Sequence, residues 1–203
     1  IRRNAGTGDL FRGSDPALSG LVFDELNNYG NLHFRGIDLT ASYAWAVGPG
    51  RLSTSFMGTY QLDQEYEPIP GLNVTTYDCA GRINTSCNAA EWRHIANARY
   101  SFDRYTIGLR WRYIGEKDYV MEDGSAGTTD TLLAGSGGIG AYNYFDLSGS
   151  VQLGDFATWT IGINNIADKE PPLVGGSVVL NGNSVGGYDQ AGRYIFTSLN
   201  LRF

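Results

Sequence analysis

Apolar and polar residues alternate with a period of two in seven segments of the chain, which predicts seven strands. In the first segment, alternate residues from Ile37 to Val47 are apolar, whereas Asp38, Thr40 and Ser42 lie between them. The strands are expected to run about 10 to 14 residues, enough to cross a bilayer when tilted. The alternating segments begin near Phe34, Arg51, Trp92, Tyr105, Tyr144, Ala157 and Ile195.

The connections between these segments alternate between short and long. Short turns are expected at Gly48–Gly50, around Asp103 and at Gly154-Asp155, and long loops at about 63–90, 117–141 and 167–191. Outer-membrane β-barrels have this asymmetry, with tight turns on one side and long loops on the other. A soluble β-sandwich also has alternating strands, but it has no reason to sort its loops by length.

Aromatic residues gather near both ends of the predicted strands, as the interfacial belts of a spanning barrel do. Near the short turns are Tyr43, Trp45, Tyr100, Phe102, Tyr105 and Phe156. Near the long loops are Tyr60, Trp92, Tyr113 and Tyr142. The predicted fold class is therefore all-β, an antiparallel transmembrane β-barrel.

Seven strands do not close a typical single-chain barrel, which has an even number of at least about eight. An open sheet in lipid leaves unsatisfied backbone groups at both edges. The chain is therefore expected to be part of a longer barrel, with Ile1-Arg2-Arg3 as the end of a further strand, or one of several copies that assemble a barrel. We favour the first interpretation.

Composition narrows the possible partners and compartments. The 28 Gly, 13 Tyr, 9 Phe and 4 Trp favour strands and turns, and a net charge of −6 argues against a nucleic-acid partner. No apolar run is long enough for a transmembrane helix, and no signal peptide is recognisable. Cys79 and Cys87, eight positions apart in a polar stretch, predict a small disulfide loop on an extracytoplasmic surface, with two free thiols as the alternative.

Three stretches together resemble the C-terminal third of TonB-dependent outer-membrane receptors, in order and spacing over essentially the whole chain. The first is Asn31-Leu32-His33-Phe34-Arg35-Gly36-Ile37-Asp38-Leu39, and the second is Ala141-Tyr142-Asn143-Tyr144-Phe145-Asp146-Leu147-Ser148. The third runs from Asn164-Asn165 through Pro171-Pro172 and Tyr188-Asp189 to Phe203.

The resemblance implies that residues 1–203 form about the last seven strands of a barrel of about 22 strands, with the plug domain absent from this chain. It implies TonB-dependent active transport of a scarce nutrient across the Gram-negative outer membrane. A ferric siderophore, haem, cobalamin or oligosaccharide would be the cargo, and this sequence does not name which. The implied partners are outer-membrane lipid, the TonB complex through a missing N-terminal part, the barrel-assembly machinery, and the small-molecule or glycan substrate.

The polar face is expected to line the lumen, because a charge on the lipid face costs about 2–4 kcal/mol at mid-depth. Its lumen- or plug-facing charges are Asp38, Arg99, Arg110, Arg112 and Asp146. Aromatic rings on loops and strand tops are the candidates for substrate contact, since such rings stack on sugars or aromatic chelators. These candidates are Tyr66, Tyr77, Trp92, Tyr119, Tyr142 and Tyr188. Interface anchoring or packing within the loops is the alternative role for each.

The last strand carries Ile195, Leu199, Leu201 and Phe203 at alternate positions. This pattern resembles the signal read by the barrel-assembly machinery, although a lipid-facing strand alone would also produce it. Asp189 and Arg193 are expected to form an exposed ion pair of small energetic value. The sequence shows no catalytic constellation, metal site or cofactor motif, so we expect a protein that is not an enzyme.

Alternative functions are a passive, porin-like diffusion channel, an outer-membrane lipase or protease, and a soluble sandwich adhesin. A porin shares the alternation but has no plug. An enzyme needs a nucleophile and histidine pair facing one side of the wall. The upstream residues, and the need for detergent, would discriminate among these interpretations.

Overall fold

The computed structural model of the 203-residue chain describes residues 30–67, 77–84, 87–119, 138–173 and 186–202. The chain divides into two compact units, Ile1–Gly30 and Asn31–Phe203. The first unit, which includes the expected remnant Ile1-Arg2-Arg3, lies outside the described residues apart from Gly30. The description below therefore concerns the second unit.

Seven long antiparallel strands form one continuous sheet, in which each strand pairs with its neighbours along the chain. They are β1 (Asn31–Val47), β2 (Gly50–Glu67), β6 (Trp92–Phe102), β7 (Tyr105–Ile114), β10 (Tyr142–Leu153), β11 (Ala157–Asn164) and β12 (Tyr194–Leu201). A short strand, β3 (Tyr77–Asp78), pairs with the end of β2. The predictions of an all-β class and of seven long antiparallel strands are confirmed.

The register aligns the apolar sides of all seven strands on one face of the sheet. One row of paired residues crosses every strand and consists of Tyr43, Thr54, Ala98, Leu109, Leu147, Ile163 and Ile195. We call the face that carries this row the apolar face. The adjacent row belongs to the opposite face, the polar face, and consists of Ala44, Ser53, Arg99, Gly108, Ser148, Gly162 and Phe196.

The strand lengths differ from the expected 10 to 14 residues at both ends of the sheet. Strands β1 and β2 have 17 and 18 residues, whereas β11 and β12 have only 8 each. The long pair continues past a register shift beside Arg35 and Gly36 into the polar pairs Arg35–Asp63 and His33–Glu65. Strand β11 stops early because Asn165 adopts a positive φ of 51°, which breaks the extended conformation.

Tight turns join the strands at one end of the sheet, where the sequence predicts them. Gly48, Asp103 and Gly154 each have a positive φ, at 54°, 47° and 62°. Glycine and aspartate are among the residues that tolerate this left-handed conformation best. These turns fix the register of the hairpins β1–β2, β6–β7 and β10–β11.

The long connections at the other end contain four short strands: β4 (Arg82–Ile83), β5 (Asn88–Ala89), β8 (Lys117–Tyr119) and β9 (Gly138–Ile139). These strands form a second sheet, in the order β5-β4-β8-β9. A disulfide joins Cys79 and Cys87 beside this sheet, and both side chains are buried. The disulfide and the second sheet give the loop end a packed structure of its own.

No helix among the described residues is long and apolar enough to cross a membrane.

If the apolar face meets lipid, a charge in its middle will destabilise the protein far more than the same charge on the polar face. We expect Ile161→Arg to lower the free energy of unfolding by about 2–4 kcal/mol in lipid vesicles. The control is Thr160→Arg on the next residue, which faces the other side and should change stability little. Denaturant titration of both full-length variants measures the difference, and equal losses would contradict the assignment of the faces.

Candidate functional site

Arg112 joins the main sheet to the loop end through two carboxylates. Its Nε and Nη2 donate to the Oδ2 and Oδ1 of Asp146 on β10, both at 3.0 Å. Its Nη1 and Nη2 donate to Asp189 at 2.8 and 2.6 Å. The guanidinium also lies over the Tyr144 ring, 4.9 Å from the centroid. We call Arg112, Asp146 and Asp189 the arginine clamp, since both acids are held in the bidentate geometry that arginine favours.

The hydrogen bonds of the clamp extend to the end of β11. The backbone N–H of Asn165 donates to Asp146 Oδ1 at 2.8 Å, which orients the carboxylate toward Arg112. The fully buried Asn165 side chain exchanges two hydrogen bonds of 2.9 Å with the backbone of Lys169. These bonds satisfy its amide and fix the direction in which the chain leaves β11. The Asn164-Asn165 motif therefore has a structural role.

Tyrosines and isoleucines form a hydrophobic core at the loop end, which we call the loop core. Its members are Ile83, Tyr119, Ile139, Tyr144 and Tyr188, with Ile114 and Tyr142 packed against them. Tyr142 and Tyr188 meet edge to face at 4.9 Å between centroids, a favourable aromatic geometry. Burial raises the pKa of the Tyr188 phenol above its ordinary value. The loop core thus joins four separate segments of the chain: 83, 114–119, 139–144 and 188.

Lys117 on β8 is a buried cation beside the loop core. Only 4% of the residue is exposed. Its Nζ donates to Asn88 Oδ1 at 2.5 Å and lies 4.9 Å from the centroid of the Tyr188 ring. Burial, and secondly the charge of Arg93, lower the pKa of the Lys117 ammonium to about 8.

A cavity of about 560 Å³ lies where the polar face meets the loop end. This size falls in the range of small-molecule sites in proteins. Its polar lining includes Gln61, Gln64, Asn88, Arg93, Arg112 and Lys117, and Phe34, Met57 and Tyr144 supply apolar surface. We call it the loop-end cavity.

The structure brings three of the six predicted substrate-contact residues together. Tyr119 and Tyr188 belong to the loop core, and Tyr142 packs against it. Tyr66 and Tyr77 are paired in the backbone register of β2 and β3. Trp92 is on the apolar face, where its ring lies 6.4 Å from Tyr60 and 6.2 Å from Phe56. Trp92 is not among the residues that line the loop-end cavity described above.

The placement of Tyr142 corrects one part of the predicted aromatic belt. It pairs with Ile114 in the row that also holds Arg93, on the polar face, and contacts Tyr144 and Tyr188. Its parity in β10 is that of Tyr144, so it cannot stand with Tyr60 and Trp92 on the apolar face. Proximity to a long loop was therefore insufficient to assign the ring to a belt.

The predicted polar-face charges have different surroundings. Arg112 and Asp146 form the clamp, whereas Arg110 donates to Asn97 at 3.3 Å and Asn97 donates to Ser55 at 3.1 Å. Asp38 accepts a 2.7 Å hydrogen bond from Thr59. Arg99 lies opposite Gly108 in the register and is exposed.

In the predicted assembly signal, Ile195, Leu199 and Leu201 are exposed on the apolar face. Phe203 lies outside the described residues. Within the described ranges, no group of three or more histidine, cysteine, aspartate or glutamate residues could hold a metal ion.

The expected pairing of Asp189 with Arg193 is wrong. Asp189 binds Arg112 instead. Arg193 binds Asp168: the backbone N–H of Arg193 donates to the Asp168 carboxylate at 2.7 Å, and its Nη2 donates at 3.1 Å. The backbone bond, and then the side-chain bond, lower the pKa of Asp168. Residues that are close in sequence need not be partners: Asp189 lies beside Arg112 on β7, whereas Arg193 lies beside Asp168, in the segment that follows β11.

Sequence reasoning also missed the importance of Lys117 and Asn88. Lys117 stands between Glu116 and Asp118, and such a run of charges normally indicates a solvated loop. Its burial depends on the packing of residues 88 and 188, which are distant in the chain. The alternation of apolar and polar residues within one strand gives no information about that contact.

No protein-family model matches the chain, and no curated protein matches it. Among solved structures, it is similar to a mutant of the ferric enterobactin receptor of Pseudomonas aeruginosa, at 11% identity and a TM-score of 0.43. The match covers 83% of this chain and 31% of that receptor, so the chain spans about a third of its length.

The arginine clamp should control the local stability of residues 186–190. We expect Asp189→Asn to accelerate hydrogen–deuterium exchange there by about tenfold to a hundredfold, because it removes two charge-assisted hydrogen bonds. The matched control, Asp168→Asn, weakens an exposed ion pair and should leave exchange at residues 186–190 unchanged. Similar exchange in both variants would show that the clamp does not hold this segment.

Proposed function

We propose that this chain forms the C-terminal part of the wall of an outer-membrane transport barrel in a Gram-negative bacterium. The observation that carries the proposal is that the register places the apolar sides of all seven long strands on one face. Large apolar side chains on this face are exposed, including Leu39, Leu109, Ile161 and Leu199. Lipid is a solvent in which such a surface is stable.

The two edges of the described sheet support a longer barrel. Among the described residues, β1 pairs only with β2, and β12 only with β11, so each has one unpaired edge. Unpaired backbone groups in lipid cost several kcal/mol each, and closure with further strands removes that cost. We therefore propose that the remaining strands, up to a total of about 22, belong to the same protein and join these edges.

For the whole protein, we propose TonB-dependent active uptake of a scarce nutrient. The three sequence stretches that resemble TonB-dependent receptors support this proposal, and the loop-end cavity supplies a place for a small molecule. The proposed partners are lipid, the TonB complex through an N-terminal part, and the barrel-assembly machinery acting on the last strand. The proposal includes no catalytic step and no cofactor.

Energy dependence tests the transport mechanism. Cells that produce the full-length protein should accumulate a labelled iron chelate or oligosaccharide above its external concentration. An uncoupler of the proton gradient, or deletion of TonB, should abolish this accumulation. The matched control is the same strain without the receptor. Uptake that only equilibrates the probe and ignores the uncoupler would support a passive channel instead.

A further inference from the structure

The charge at Lys117 lacks a compensating anion within the described part of the chain. None of the ion pairs there includes Lys117 or Arg93. Among the described residues, the Lys117 ammonium contacts a neutral amide, that of Asn88, and the aromatic ring of Tyr188. Burying a cation without a counter-charge is costly, and buried charges in proteins are normally paired.

Arg112, which lines the same cavity, shows the contrasting arrangement. Its guanidinium donates to both oxygens of Asp146 and of Asp189, so four of its five N–H donors and its charge are taken by carboxylates of the protein itself. Lys117 and Arg93 line the cavity without such acids. The unbalanced positive charge at the loop-end cavity therefore comes from Lys117 and Arg93.

We infer that the loop-end cavity is a binding subsite for a small organic anion, with Lys117 and Arg93 holding its negative group. Gln61 donates to Gln64, and Asn88 bonds to Lys117 and Gly186, but an –NH2 group has two N–H donors, so these amides can also donate to a ligand. Phe34 and Tyr144 offer apolar surface for the body of the ligand. This inference rests on the proposed transport function and narrows its substrate class. A neutral glycan would leave the charge of Lys117 uncompensated.

The chain offers a matched pair of variants, because Lys117 and Lys169 are its two lysines. Each ammonium lies 4.9 Å from the centroid of a tyrosine ring, but Lys169 is exposed and does not line the cavity. Lys117→Met removes the buried charge and keeps a long apolar side chain. Lys169→Met makes the same chemical change outside the cavity.

The experiment measures equilibrium binding to the full-length protein in detergent. The probes are ferric tricatecholate, a trianion, ferric citrate, also anionic, and ferric trihydroxamate, which is neutral. We expect Lys117→Met to weaken binding of the anionic probes by about tenfold or more, and Lys169→Met by less than about twofold. Binding of the neutral probe, if present, should be equal in all three proteins.

Arg93→Gln provides a second test that does not depend on a buried position. It should weaken binding of the anionic probes by about two- to fivefold, because Arg93 is exposed. Unchanged binding of the anionic probes in both Lys117→Met and Arg93→Gln would overturn the inference. If the inference fails in this way but the neutral probe is still taken up in an energy-dependent manner, the proposed transport function stands. If no probe shows energy-dependent uptake, both the transport function and the anion subsite are wrong.

Discussion

The register of the seven long strands is the constraint on which the other features of this structure depend. Side chains alternate strictly along a strand, so a slip of one residue in any pairing would send that strand's apolar set to the other face. The register instead places the apolar sides of all seven strands on the same face. The same alignment brings Arg112, Tyr144 and Asp146 onto the polar face of adjacent strands, where the arginine clamp forms. The apolar face and the arginine clamp on the polar face are therefore two consequences of one pattern of hydrogen bonds.

The clamp shows how a regular sheet positions an irregular loop. A backbone ladder specifies strand neighbours, but it cannot hold a segment that lies above the sheet. Arg112 does this because its planar guanidinium presents donors to two carboxylates at once, one on β10 and one in the loop. Asn165 adds a backbone donor to Asp146 and turns the chain out of β11. Tyr188, the neighbour of Asp189, is thereby held in the loop core against Tyr142 and beside Lys117.

The sheet could be predicted well from the sequence, because strands and tight turns are determined by residues that are close together in the chain. The alternation from Ile37 to Val47, and the turns at Gly48 and Asp103, depend only on neighbouring residues and on backbone conformation. The ends of strands were less predictable, since β2 extends through Glu67 by pairing with β1 beyond the register shift. The site was least predictable, because each of its main contacts joins residues far apart in the chain. Arg112 and Asp189 are 77 positions apart, and Asn88 and Lys117 are 29 apart.

Arg112 and Lys117 are two cations with different roles: Arg112 is a structural cation, and Lys117 is suited to binding a ligand. Both are partly or fully withdrawn from water, and both contact a tyrosine ring at 4.9 Å. Arg112 has two carboxylates, so the network is complete without any further group, and an added anion would be repelled by the excess negative charge of the clamp. Lys117 has a neutral amide instead, and burial, followed by the charge of Arg93, lowers the pKa of its ammonium. A protein that needed Lys117 only for packing would be more stable with an uncharged side chain there, since burial of the ammonium is not offset within the described residues. Arg112 therefore has a complete network within the described residues, whereas a bound anion in the loop-end cavity would complete the network around Lys117.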